Sequence, residues 1–430
     1  MARPDESTHL SMNETASTID GLEPLRVLHP QSVTDLGEYT RDASKDAQAV
    51  YPLGGRTMVG YGFQPSRPGI AVDVRGLERI IDYPARDMTI TVQAGLTIAK
   101  LQEILAVENQ RLPVDVPLPD RATLGGALAV NVSGPRRYGF GTFRDYVIGI
   151  SVINDQGQET KAGGRVVKNV AGYDLCKLYV GSLGTLGIIT QVTLKLKPRP
   201  ERSTIIGLAC STAQLEALLD ALQRTRTRPV CITLLNDRAT GTLLEPAQAA
   251  LPEKEGWLVL VGFEDNAEAV AWQVQQLQAE LSSFGLAACQ EWTDAGAEPI
   301  WRALTDFPHP RDAALSFKAN ILPRHIAALA ALAASFPERL HLQVHAGNGI
   351  LHGHVMGDLT LERAQTMLRS LLETATAGQG NLIVYHCPPS WKPVLPIWGA
   401  PRADAWLMRA IKQKLDPCGI FNPGRFVDGI

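Results

Sequence analysis

Glycine is concentrated where this chain must turn tightly or bring backbone against backbone. Four glycine-rich segments fall between residues 52 and 189. They are Pro52-Leu53-Gly54-Gly55-Arg56-Thr57; Thr123-Leu124-Gly125-Gly126-Ala127-Leu128-Ala129-Val130-Asn131; Gly134-Pro135-Arg136-Arg137-Tyr138-Gly139-Phe140-Gly141; and Lys168-Asn169-Val170-Ala171-Gly172-Tyr173-Asp174-Leu175, which leads to Gly181-Ser182-Leu183-Gly184-Thr185-Leu186-Gly187-Ile188-Ile189. One Gly-Gly turn after a strand is usually only a turn. Four such segments exceed what turns require and point to a site where backbone approaches a ligand. The first follows the β-rich run Ala49–Leu53, where successive N–H groups can form an anion nest. The second reads as a short helix start with free N–H groups and little side-chain bulk.

Around these segments, short strands alternate with short helices. Ile70–Val74, Met88–Gln93, Val147–Ile153 and Ile188–Leu196 read as strands, and the apolar spacing in Thr97–Glu108 predicts a helix. Pro198 and Pro200 mark a boundary. Beyond it, Ala213–Arg224, Asn266–Phe284, Ile326–Phe336, Leu361–Thr374 and Trp406–Leu415 read as helices, and Trp257–Phe263 as a buried strand. The fold class is α+β. A chain of 430 residues exceeds one core, so two domains are expected. The divisions fall at 1–24, a disordered tail; 25–200; 201–385; and 386–430, a C-terminal segment.

Charge excludes some functions. Lys and Arg total 41 against 44 Asp and Glu, a net charge of −3, which argues against a nucleic-acid partner. No run is long and apolar enough to span a bilayer, and the start of the chain lacks an export signal, so a cytoplasmic location is expected. The cysteines at 176, 210, 231, 289, 387 and 418 are scattered without CxxC, so neither a disulfide framework nor a self-contained iron–sulfur cluster is expected. GxGxxG, Gly-Lys, GxSxG and HExxH are absent.

The order PLGGRT, TLGGALAVNVSG, GTFRDYVIG, VKNVAGYDLCKLYVGSLGTLGIIT and LDPCGIFNPGR resembles the vanillyl-alcohol-oxidase, or PCMH-type, FAD-binding family. Within it the chain is similar to FAD-binding subunits of bacterial glycolate oxidases. The match is strong over residues 45–200 and 401–426. The resemblance implies a PCMH-type FAD-binding domain of two α+β subdomains, then an α+β substrate or cap domain with an antiparallel sheet. It implies that Pro52, Gly54, Gly55, Arg56 and Thr57 hold the FAD pyrophosphate. Thr123, Leu124, Gly125, Gly126, Ala129 and Asn131 would line the flavin. Gly187, Ile188 and Ile189 would lie at the adenosine end, with Asn422 returning from the C-terminus. No histidine lies between residues 30 and 308, and Cys176 is expected to be packed, so the FAD is expected to be non-covalent. The partners implied are a small 2-hydroxy acid, a second flavoprotein subunit and an iron–sulfur subunit, through which membrane association is open.

A second candidate site is the run from His341 to His354. Asn348-Gly349 predicts a two-residue type I′ turn, which would set His345 opposite His352. Leu342, Val344, Leu351 and Val355 would then face a core. The run resembles the HAGDGNLH segment of catalytic 2-hydroxy-acid dehydrogenases, whose histidines bind a divalent metal. Here a metal at His345 and His352 competes evenly with a hydrogen-bonded polar face, because the carboxylate ligand expected before His386 is Tyr385. If the site is active, His386 is the base, and Arg324, Lys318 or Arg302 clamps the acid. A non-catalytic, electron-relaying flavin subunit is the alternative.

Overall fold

The computed structural model describes residues 18–164, 173–244, 256–282, 290–310 and 312–430. Residues 1–17, segment 168–172 of the fourth glycine-rich motif, and Cys289 lie outside them. Three parallel strands, Arg26–Leu28, Gly69–Asp73 and Ala49–Leu53, form the first small sheet. A five-stranded antiparallel sheet follows, ordered Ile80–Asp82, Thr89–Gln93, Ile188–Lys195, Val147–Ile153, Glu159–Gly163. Each has its own apolar core. These are two α+β subdomains, as the resemblance implies.

Residues from Arg202 to His386 supply a single antiparallel sheet of eight strands. Strand alternation divides its side chains. Phe317, Leu342, Val344, Leu351 and Val355 face a helix-covered core and are all buried. Lys318, Gln343, His345, His352 and His354 share the other face.

The C-terminal segment returns to the first sheet. Asn422 N–H donates to the Val50 carbonyl, and Val50 N–H to that of Ile420. The expected disorder through residue 24 does not extend to its last residues. Ile19 is buried, and the Asp20 carboxylate meets the Lys392 ammonium at 2.5 Å. Lys392 also donates to the Gly60 and Gly62 carbonyls at 2.6 and 2.7 Å. A buried ammonium needs this full set of acceptors, and they fix the segment that carries Tyr61. No helix among the described residues is long and apolar enough to cross a membrane.

Candidate active site

A continuous cleft runs between the two subdomains of the N-terminal half. Its walls are the turn after Ala49–Leu53, the helix Leu124–Val130, the segment 183–189 and Asn422. Gly54 and Gly55 are required by packing: a Cβ on Gly54 would collide with Thr123 Oγ1, and one on Gly55 with the Arg121 carbonyl. The two loops therefore lie backbone against side chain, and the cleft opens beside them. Thr123 caps the helix, accepting from Gly126 N–H at 3.4 Å.

The expectation of free N–H groups at this helix start is corrected. Leu124 N–H donates to the Leu96 carbonyl and Gly125 N–H to that of Ala94. The helix offers the cleft a small-residue surface, at Gly126 and Ala129, instead of an open anion nest. Leu124 is also corrected: its side chain is wholly buried in the subdomain core and does not reach the cleft.

Four non-glycine residues at or beside the cleft adopt left-handed backbone: Arg56 (φ 56°), Asn131 (φ 56°), Leu183 (φ 51°) and Asn422 (φ 40°). Such conformations cost of order 1 kcal/mol or more each and cluster at functional sites. Asn422 is held by its side-chain amide donating to the Leu183 carbonyl at 2.6 Å. Arg56 and Arg425 are the cations of the cleft, and no carboxylate lines it. Arg56 Nε and Arg425 Nη1 are buried without a hydrogen-bond partner among the described residues, and Arg425 Nη1 lies 3.9 Å from the Asp20 carboxylate. Arg56, with no ion pair within 4 Å among the described residues, in a cleft with no carboxylate on its wall, fits a bound diphosphate.

A second cavity opens from the first through the shared residues Met58, Tyr61 and Val130. It is lined by Asn131, Ser133, Pro308, Lys318, Ile350, His352 and Tyr385. Lys318 pairs across strands with His352 on one side and Ile383 on the other. Burial, with Arg137 nearby, pushes the Lys318 ammonium down to about 8. Burial, with Arg137 and Lys318, pushes His345 down to about 3. Burial and the neighbouring His345 and Lys318 hold His352 well below its ordinary value. Both imidazoles are therefore neutral at pH 7. Burial raises the Tyr385 phenol well above its ordinary value.

The histidine hairpin differs from expectation by two residues. Gln343, not His345, stands opposite His352, and His345 stands opposite Ile350. Residues Ala346–Gly349 form a longer turn in place of the two-residue one. An even shift preserves the face, so His345 and His352 still meet, diagonally, with ring centroids 5.3 Å apart. His354 accepts no further ligand, since its nitrogens engage Ser316 Oγ at 2.9 Å and the Phe307 carbonyl at 2.8 Å.

Three expected residues lie elsewhere. His386 is exposed, its Nε2 3.1 Å from the Ala313 carbonyl, because consecutive strand residues point to opposite faces and Tyr385 takes the cavity side. Arg324 is exposed and donates to His325 Nε2 at 3.0 Å. Arg302 is exposed and paired with Asp120 and Asp306. Met58, Tyr61, Val130, Ser133 and Arg425 were not singled out by sequence reasoning, although Arg425 lies in the FNPGR motif.

The donor set does not fit a divalent cation. His345 and His352 supply two neutral nitrogens, but no Asp or Glu lines the cavity, and Lys318 and Arg137 add positive charge. No group of three or more metal-competent His, Cys, Asp or Glu forms among the described residues.

The two-part fold thus sets a diphosphate-compatible cleft beside an adjoining polar cavity. A model of the FAD binding domain matches residues 24–163, and a model of the C-terminal domain of FAD-linked oxidases matches residues 199–386 and 400–426. The chain belongs to the FAD-linked oxidase family and is an FAD-dependent oxidoreductase. It is 28% identical to a D-2-hydroxyglutarate dehydrogenase of Xanthomonas citri pv. viticola, over 94% of this chain and 89% of the relative. It is 26% identical to glycolate oxidase subunit GlcD of Bacillus subtilis, over 94% and 88%. It is 29% identical to glycolate oxidase subunit GlcE of Escherichia coli, over 83% and 87%. A substrate-bound structure of p-cresol methylhydroxylase shares the fold, with a TM-score of 0.71 at 18% identity, covering 93% of this chain and 88% of that one.

Proposed function

We propose that this chain is a flavin-bearing subunit of a multi-subunit 2-hydroxy-acid oxidase, with glycolate or D-lactate as substrate. The observation that carries this reading is the cationic, histidine-lined cavity opening directly from the flavin cleft. The cleft would hold FAD non-covalently, with Arg56 and the turn after Leu53 as the groups that would receive its diphosphate. Cys176 lies buried in the subdomain core and lines neither cavity, which supports a non-covalent flavin. When bound, the isoalloxazine supplies a hydride acceptor. Oxidation removes the α-hydrogen with its electron pair and the hydroxyl proton, leaving a 2-oxo acid.

His352, rather than His386, is the imidazole placed to receive that proton. Burial and the neighbouring His345 and Lys318 lower its basicity. A bound carboxylate offsets the Lys318 charge and raises His352 toward the range useful for a base. Electrons then pass to a partner. GlcD and GlcE are each named as glycolate oxidase subunits, which supports a multi-subunit assembly; the proposal adds a second flavoprotein subunit and an iron–sulfur subunit as acceptor. A cytoplasmic assembly that meets a membrane only through partners follows from this reading.

A second reading has its own support. His386 stands outside the cavity and Tyr385 replaces a carboxylate, which favours an accessory flavin subunit that relays electrons. The test is the anaerobic absorbance spectrum of the purified chain before and after glycolate. Bleaching is expected. An unchanged flavin in a complex that turns over would assign the chemistry to the partner.

A further inference from the structure

Two adjacent arginines have opposite surroundings. Arg136 is consumed by structure: its guanidinium bonds Asp115 at 2.9 Å and Glu264 at 2.8 Å and lies over the Trp301 ring. Arg137 is half-buried, forms no ion pair within 4 Å among the described residues, and makes one side-chain bond, to Ser133 Oγ at 3.3 Å. Ser133 lines the second cavity. The segment is held there because Tyr138 packs on Gly347, in the turn that follows His345. Arg137 therefore acts electrostatically on both Lys318 and His345.

Lys318 also forms no ion pair or hydrogen bond of its ammonium among the described residues. Three further polar atoms around it are buried without partners: Tyr385 Oη, His352 Nδ1 and His345 Nε2, on residues 8%, 6% and 2% exposed. Two cations with no ion pair among the described residues, beside buried polar atoms without hydrogen-bond partners, are an unfavourable combination by themselves. A small carboxylate would satisfy them.

We propose that Lys318 and Arg137 form a metal-independent anion clamp, in which Lys318 meets the carboxylate of a small 2-hydroxy or 2-oxo acid and Arg137 reinforces it from the Ser133 side. The clamp takes the place of the divalent cation that the donor set does not fit. It rests on the substrate class proposed above but not on this chain performing the oxidation.

The test uses the flavin-loaded chain after dialysis against EDTA, with metal content measured by mass spectrometry. Oxalate, which cannot be dehydrogenated, is titrated by calorimetry and flavin absorbance. Saturable binding that survives chelation is expected, and K318M and R137M should each raise its Kd about tenfold or more at unchanged flavin content. Binding that vanishes on chelation and returns with Mn²⁺ or Zn²⁺, or parental affinity in both variants, would overturn the clamp. Should a methionine variant lose its flavin, K318R decides. The parent's oxalate affinity falls above about pH 8, and K318R should hold it to higher pH; identical profiles would contradict the proposal. The two readings fail separately. Clamp-dependent oxalate binding without bleaching by glycolate leaves the clamp and removes the oxidation. Bleaching with parental affinity in both variants does the reverse.

Discussion

The flavin cleft and the cavity beside it are built by different means. The cleft is made mostly of backbone: loops drawn together at Gly54 and Gly55, small residues along one helix, and left-handed turns at Arg56, Leu183 and Asn422. The cavity is made of side chains carried by separate strands and by a segment of the other domain. Backbone sites tolerate little added bulk and depend weakly on titration. Side-chain sites tolerate reshaping but depend on charge. Each prediction below attacks one half of this contrast.

The largest effect is expected at Gly126. It lines both parts of the cleft, and a Cβ there would meet only Thr123 Oγ1, at 3.1 Å. Gly126→Leu should abolish flavin binding, read from the absorbance ratio of the purified chain. The unliganded protein should be as stable as the parent or more so, since a helical glycine costs about 1 kcal/mol relative to a better helix former. Loss of folding instead would make this helix a packing element only.

Lys318→Met should do the reverse. Flavin content stays at the parental level, while acid-dependent flavin reduction weakens by about 2 kcal/mol, some thirtyfold. Arg324→Ala should cost much less in the same assay, because Arg324 lies outside the cavity.

A smaller effect follows from pH. The Lys318 pKa is depressed to about 8, so its positive charge is present below that value and lost above it. Acid affinity should therefore be greatest below pH 8 and decline as pH rises. A bound anion favours the ammonium, so the decline should shift to higher pH at saturating acid. Affinity that climbs with pH would contradict a cationic clamp.

The smallest effect is at Tyr385, whose buried hydroxyl has no hydrogen-bond partner among the described residues. Tyr385→Phe should stabilise the empty chain by about 1 kcal/mol in denaturant unfolding and weaken acid binding. Destabilisation would mean that the hydroxyl is already satisfied.

The same contrast explains what the sequence reveals. Motifs are local, so the family resemblance they carry names Gly54, Gly55, Gly126, Ala129, Gly187 to Ile189 and Asn422, and all line the cleft. The helix start was misread because its N–H partners, Leu96 and Ala94, come from a distant loop. Leu124 was misread because a motif names neighbours without saying which way they point. In the hairpin, period-two alternation correctly separates the histidine face from the apolar face. The register is off by two because Gly347 packs on Tyr138 from the other domain and the turn is longer than Asn348-Gly349 alone suggests. His386 falls outside the cavity for a similar reason: only the sheet decides which of two adjacent residues faces it, and that residue is Tyr385. Arg137 is invisible by pattern, since Arg136 beside it carries the same charge and is wholly committed to Asp115 and Glu264.

The most direct measurement is flavin content and anaerobic glycolate reduction in one preparation of the Lys318→Met chain. The division of labour between cleft and cavity predicts a full complement of flavin that bleaches far more slowly than in the parent. Parental bleaching, or loss of the flavin itself, would contradict it.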